Sequence, residues 1–293
     1  MIATTLNQLR QLKLTGMASA LQTQLDQPGT YEGLAFAERL KLLIDHEDQA
    51  RNQRKQERLT RAAQFKLKAH AKDLDYQNGR GLQQSQMASL LMCDWLKKAQ
   101  NLLLTGPCGT GKTYVACALG HQACLKGYSV RYYRLPRLIL ALTQAKADGS
   151  YSKLLKAIAS MDLLIIDDWG LEPLTAATRN DLMEIMDDRY QQSATLIISQ
   201  LPTEQWYDAI GDNTLADAIL DRLMHNAHRM NLQGESMRKK MNTLTQVEHL
   251  EYKFTSIDAL AFRCSSSTRI GVQINRNTHR FLFTRRMILR PSG

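Results

Sequence analysis

The stretch GPCGTGKT, Gly106 to Thr113, sets a lysine and a threonine directly behind a glycine-rich loop. It fits the pattern GxxxxGK[ST], whose chemistry is the gripping of phosphate. Gly106, Gly109 and Gly111 let the backbone curl so that its N–H groups converge on phosphate oxygens, and Pro107, Cys108 and Thr110 complete the loop. A helix opening at the end of the loop adds a partial positive charge. Lys112 can then reach the β- and γ-phosphates of ATP, and Thr113 can offer its hydroxyl to Mg²⁺. The matching carboxylate stands in LLIIDDWG, where four apolar residues bring out Asp167 to hold the metal through water. Asp168 comes next, placed to orient or polarise an attacking water, which favours hydrolysis over transfer to a bound acceptor. The structural alternative for Asp168 is a cap on the following turn.

Two further polar residues follow. Gln200, after ATLIIS, could touch the γ-phosphate or the water, or could cap the turn before Pro202. Arg222, in ILDRLMHN, could pair locally with Asp217 or Asp221, or could enter a neighbouring subunit's site as an arginine finger. Spacing alone does not choose between these.

Such residues need a scaffold that converges them. NLLLTG, YSVRYY, LLIID and ATLIIS are short apolar runs that read as buried strands, alternating with helical stretches. That alternation predicts an α/β domain with a parallel sheet covered on both faces. Downstream, LADAILDRLMHNAHRM and ESMRKKMNTLTQVEHLE read as helices, which would set His225 and His228 on one helix with no further metal ligand in sight. Upstream, Leu6, Leu9, Leu12, Met17, Leu21 and Leu25 recur at roughly helical spacing, and Phe36, Leu40, Leu43 and Ile44 suggest a second helix after QPGTYEG. A long basic helix is expected from Arg51 to Lys72. The division predicted is a small all-α domain over 1–78, a nucleotide-binding domain over 79–248, and a poorly ordered basic tail over 249–293.

The net charge of +10 is unevenly spread. Residues 81–250 hold 17 basic and 17 acidic residues, whereas 1–80 hold 13 and 9, and 251–293 hold 8 and 2. An excess confined to the ends suits contact with a polyanion, although solvated charge would also serve solubility. The apolar runs are too short for a membrane span, and the N-terminus is too polar for a secretory core, so a cytoplasmic protein is expected. The five cysteines form no CxxC pair or zinc spacing and read as packing residues.

The ordered set GPCGTGKT, LLIIDDWG, IISQLPTEQW and LDRLMHNAHRMNLQGESMRKK resembles AAA+ ATPases of the bacterial helicase-loader clade. With FAERLKLLIDHEDQARNQRKQERLTRAAQF and DLDY ahead of it, the chain more closely resembles IstB, the family of ATP-binding helpers of insertion-sequence transposases. The resemblance runs over roughly residues 5–248. It implies a P-loop AAA+ parallel sheet flanked by helices, with Lys112 and Thr113 as Walker A residues and Asp167 as the Walker B metal residue. It implies Asp168 where many relatives carry a catalytic Glu, Gln200 at sensor 1, Arg222 as the trans-acting finger and Arg238 at sensor 2. Asp168 is one methylene shorter than Glu, and Gln200 is longer than the usual Asn. The tail from 251 onward has no counterpart in the pattern.

The resemblance also implies homo-oligomers, as rings or filaments, on duplex DNA, and a transposase as partner. The clade's extra helical element after the second strand is LPRLILALTQAKADGSYSKLLKAIA, with Arg137, Lys146, Lys153 and Lys156 as candidate phosphate-backbone contacts. Arg54, Lys55, Arg58 and Arg61 on the basic helix could grip DNA or a neighbouring subunit. The expected function is an ATP-hydrolysing regulator of transposition that deforms target DNA and stimulates a separate transposase. A replicative helicase loader shares the core and is the alternative. A small-molecule kinase or a passive ATP-binding DNA module would differ in DNA dependence and turnover.

Overall fold

A computed structural model describes residues 2–76, 81–234 and 237. The expectations for 249–293 and for ESMRKKMNTLTQVEHLE therefore fall outside the described residues, apart from Met237. The chain opens with helices α1 (Ile2–Gln11), α2 (Thr15–Asp26), α3 (Pro28–Tyr31) and α4 (Phe36–Ala63). Two short helices, α5 (Gln84–Leu91) and α6 (Asp94–Lys97), lead into the core. The core runs β1 (Asn101–Thr105), α7 (Lys112–Leu125), β2 (Val130–Arg134), α8 (Leu135–Ala147), α9 (Tyr151–Ala159) and β3 (Leu163–Trp169). It continues through α10 (Ala176–Arg189), β4 (Ala194–Ser199), α11 (Trp206–Ile210), α12 (Asn213–Met224) and β5 (Ala227–Asn231). None of the helices is long and apolar enough to cross a membrane, among the described residues.

The five strands form one sheet in the order β2-β3-β4-β1-β5, every pair parallel. Continuous apolar strands are what two-sided cover requires, because successive side chains face opposite ways. Leu102 and Leu104 pack with α7 and with Ala63, Ala69, Leu74 and Leu82, whereas Leu103 packs with α8 to α12 on the other face. Leu163 and Ile165 divide from Leu164 and Ile166 in the same way. All of these are buried, and each contributes about 1.5–3 kcal/mol of hydrophobic stabilisation. Cys93, Cys117 and Cys124 are buried free thiols, Cys108 is an exposed one, and Cys264 lies outside the described residues.

Three sequence expectations change. The leucine series from Leu6 to Leu25 is two helices, because Lys13 turns left-handed at φ 61. The second of them is capped from afar. Glu47 on α4 accepts the N–H groups of Gly16 at 2.7 Å and Met17 at 3.1 Å, in the first turn of α2 where helical partners are lacking. Gly16 allows this, since a side chain there would sit 2.7 Å from the His46 carbonyl oxygen. The basic helix ends at Ala63 rather than Lys72, because Gln64 adopts φ 54 and terminates it.

The third change is at HNAHRM, which is not helix throughout. Asn101 donates to the carbonyls of Arg222 at 3.0 Å and Leu223 at 3.1 Å, closing α12, and the chain then enters the sheet with Ala227 opposite Asn101. His225 follows the helix end and His228 lies on β5, so the two histidines do not share a helix.

Candidate nucleotide site

Ligands of open parallel sheets bind beyond the carboxyl ends of the strands, where the connections diverge. Here β1 is followed in sequence by β2 at the far edge of the sheet, and β4 lies between β1 and β3. GPCGTGKT leaves the end of β1 and opens α7. Gly106, Gly109 and Gly111 take φ values of 137, 86 and 92, which side-chain-bearing residues rarely adopt. Gly106 has a second constraint. A side chain there would lie 2.0 Å from the carbonyl oxygen of Leu232, where the chain leaving β5 crosses the loop. That crossing is pinned by Leu232 N–H to the Thr105 carbonyl at 2.8 Å and by Met237 N–H to the Gly109 carbonyl at 3.0 Å.

Helix α7 starts from Gly111 with no side-chain cap, so its first-turn N–H groups face the loop without an intrahelical acceptor. Lys112 is only 6% exposed, and its ammonium donates to the carbonyls of Gly106 at 2.5 Å and Pro107 at 2.7 Å. Burial pushes its pKa down, against the opposing pull of Cys108, Asp167 and Asp168. A buried ammonium held by neutral carbonyls, beside uncapped N–H groups, suits an incoming polyanion.

Asp167 is 2% exposed at the end of β3. Its Oδ2 accepts the Thr113 hydroxyl at 2.9 Å and the Tyr132 hydroxyl at 2.6 Å, while its Oδ1 accepts the Asp168 N–H at 2.8 Å. Burial and this bond to Asp167 push the Tyr132 phenol far up, so it stays a donor. A carboxylate and a hydroxyl this close are hard oxygen donors, and they fit Mg²⁺, which takes one or two carboxylates and completes its shell with phosphate and water. Among the described residues no three His, Cys, Asp or Glu side chains converge as an all-protein metal cluster.

Asp168 sits in a bulge. The β3–β4 pairing passes from Ile166↔Ile197 to Trp169↔Ser199, so two residues of β3 span one of β4. Asp168 itself takes φ 65, and its Oδ2 accepts Arg134 Nε at 2.5 Å. This bond raises the Arg134 pKa further. Gln200 follows β4 and is exposed.

Arg222 stands apart from these residues. It pairs with Asp187 on α10 at 2.8 Å, not with Asp217 or Asp221, and lies 5.9 Å from the centre of the Tyr190 ring. A cavity of about 260 Å³ beside it is lined by Asn101, Arg189, Arg222 and His225. That cavity borders the starts of β1 and β4, the wrong end of the sheet for the P-loop ligand. Arg238 lies outside the described residues.

Arg137, Lys146, Lys153 and Lys156 are exposed on α8 and α9, and Arg54, Lys55, Arg58 and Arg61 are exposed on α4. Two of the eight have internal partners: Lys146 pairs with Asp181 at 2.5 Å, and Arg54 with Glu47 at 3.3 Å.

Sequence reading passed over Tyr132, Arg134 and Lys66, all of which reach the two acids. YSVRYYR carried a usable signal for the first two. Once β2 neighbours β3 in parallel register, Arg134 falls opposite Asp167.

The chain matches the family model described as IstB-like ATP binding protein over residues 7–245. It is 46% identical over 235 residues to the insertion sequence ATP-binding protein y4pL of Sinorhizobium fredii, covering 80% of this chain and 96% of that one. It is 48% identical over 200 residues to the insertion sequence IS1162 ATP-binding protein of Pseudomonas fluorescens, covering 68% and 86%. Among solved structures it superposes on AMPPCP-bound DnaA from Aquifex aeolicus with a TM-score of 0.51 at 20% identity, over 63% of this chain and 56% of that one, a likeness of fold. With the five-stranded parallel sheet, its P-loop and the length of the match in agreement, this chain belongs to the IstB-like ATP binding protein family.

Proposed function

We propose that the chain is an ATP-hydrolysing, DNA-binding regulator of transposition that assembles on duplex target DNA, deforms it and stimulates a separate transposase. The observation that carries this reading is the Thr113–Asp167 contact of 2.9 Å beside the buried Lys112 loop, in a chain of the insertion-sequence ATP-binding family. Residues 106–113 bind the ATP phosphates, and Thr113 and Asp167 hold Mg²⁺. Mg²⁺, when bound, neutralises charge on the phosphate oxygens. Asp168 orients the attacking water and Gln200 senses the γ-phosphate. Arg222 of one subunit completes its neighbour's site, and Arg238 acts from the segment after β5.

Residues 1–78 serve oligomer, DNA and partner contacts, 79–248 form the ATPase domain, and 249–293 are a basic tail. Arg137, Lys153, Lys156, Lys55, Arg58 and Arg61 contact phosphates, joined by Lys146 and Arg54 once these leave Asp181 and Glu47. Contacts of that kind give sequence-independent, salt-sensitive affinity. The protein acts in the cytoplasm.

The test is ATP turnover with and without long duplex DNA, for the wild type and for Asp168→Asn. Stimulation by DNA, lost in the variant, is the expected result. Equal turnover in all four conditions would refute the proposal.

A further inference from the structure

The nucleotide site contains a cation that no P-loop pattern supplies. Lys66 comes from the stretch that follows α4, yet its Nζ lies 3.9 Å from Asp167 Oδ2. That oxygen is the one already shared by Thr113 and Tyr132. Lys112, by contrast, is turned to the carbonyls of Gly106 and Pro107. Lys66 is therefore the ion-pair partner of a carboxylate that is 2% exposed. A buried carboxylate left without such a partner is costly.

The backbone around Lys66 is fixed from both sides. Arg131 donates to the Ala62 carbonyl at 2.8 Å, just before Gln64 breaks α4. Phe65 lies against Gly120 of α7, so close that a side chain on Gly120 would come within 2.6 Å of the ring. The Cys117 thiol sits against the backbone of Leu67 and Lys66. The Lys66–Asp167 pair adds a third tie on this segment, and it is the one that a bound cation can release, because the four-carbon stem and compact ammonium can swing away.

We propose that Lys66 is a positioning residue of the nucleotide site, which neutralises Asp167 when no divalent cation is bound and is displaced from it by Mg²⁺, so that the end of α4 is linked to the occupancy of the site. The proposal rests on the reading that the P-loop binds ATP with Mg²⁺. Mg²⁺ held by Asp167, even through water, places a second cation near the oxygen that Lys66 faces at 3.9 Å; the two repel, and Lys66 is the one with a solvated alternative, being 38% exposed. Linkage makes the effect reciprocal. Whatever draws the 64–67 segment away, including a partner engaging the N-terminal helices, strengthens Mg²⁺ binding.

The experiment titrates Mg²⁺ against binding of a fluorescent non-hydrolysable ATP analogue to the full chain. It compares wild type, Lys66→Met, Lys66→Arg and Lys112→Ala. Lys66→Met lowers the Mg²⁺ midpoint by about three- to tenfold, the range for one partly screened charge. Lys66→Arg keeps the midpoint of the wild type. Amide exchange of residues 64–70 in the wild type rises when Mg²⁺ and the analogue are added together.

A midpoint in Lys66→Met equal to or above that of the wild type overturns the proposal. So does exchange at 64–70 that is indifferent to Mg²⁺, a result that needs no variant to fold. Failure of the wild type to bind the analogue, or binding undiminished in Lys112→Ala, would instead remove the nucleotide-site reading beneath it.

Discussion

Gly106→Ala separates two reasons for a glycine at the head of the phosphate loop. One is close approach of a ligand, and the other is close approach of the chain itself. The added Cβ would stand 2.0 Å from the Leu232 carbonyl oxygen and 3.0 Å from its carbon. Ordinary C···O contact is about 3.3 Å, so the crossing strand must retreat by roughly 1.3 Å. No rotamer relieves this, because both partners are backbone.

Retreat disturbs the Leu232–Thr105 and Met237–Gly109 hydrogen bonds, each worth about 1 kcal/mol. Alanine at φ 137 adds about 1–3 kcal/mol of conformational strain. The total is about 3–5 kcal/mol, which lowers the melting temperature by roughly 10 °C in a unit of this size. Gly149→Ala is the control. It shares a positive φ of 77 but meets nothing within 4 Å, so it should cost about 1 kcal/mol. Thermal unfolding without ligand, followed by circular dichroism, reads both. Equal melting temperatures for Gly106→Ala and Gly149→Ala would refute the reasoning, since the chain crossing and the less accessible φ both place the larger cost at Gly106.

Two further outcomes follow from contacts elsewhere. Arg134→Ala frees the Asp168 carboxylate from its 2.5 Å partner, and DNA-independent ATP turnover should rise by up to about fivefold, the rate equivalent of a partly exposed pair. Unchanged turnover would mean that Asp168 is not restrained by that pair. Glu47→Gln weakens the remote cap of α2 and should cost about 1–2 kcal/mol at pH 7, seen as faster amide exchange at Gly16 and Met17. Burial pushes the Glu47 pKa up, but its bonds to Arg51, Met17 and Gly16 prevail and hold it below the ordinary 4.5. A depressed carboxylate contributes stability above its unfolded value and loses it as pH falls through the folded one. The difference between wild type and Glu47→Gln should therefore shrink as pH falls below 4.5 and through that lower value; a difference that persists in acid would exclude the carboxylate as its source.

The phosphate loop, the apolar strands beside it and Asp167 were legible in the sequence, because their signals are local. A GxxxxGK[ST] loop encodes its own curl in glycines, and LLLT or LLII can only be buried. The helix assigned across HNAHRM was not so encoded. Its residues accept either structure locally, and the Asn101 side chain that ends α12 is 121 residues away from Arg222. Glu47 capping α2 and Gln64 terminating α4 are of the same kind, one a contact across 31 residues and the other a single backbone angle.

Residue types and short spacings already put forward a glycine loop, a hydroxyl and a carboxylate as the groups proposed for phosphate and metal, because that chemistry is carried locally. Tertiary structure alone decided what surrounds them. Strand order brought Arg134 beside the acids, the β3 bulge turned Asp168 toward it, and the break at Gln64 returned Lys66 from the N-terminal helices to Asp167. These are pairings between residues far apart in the chain, fixed by packing of the sheet and its helices, and no local pattern of side chains records them.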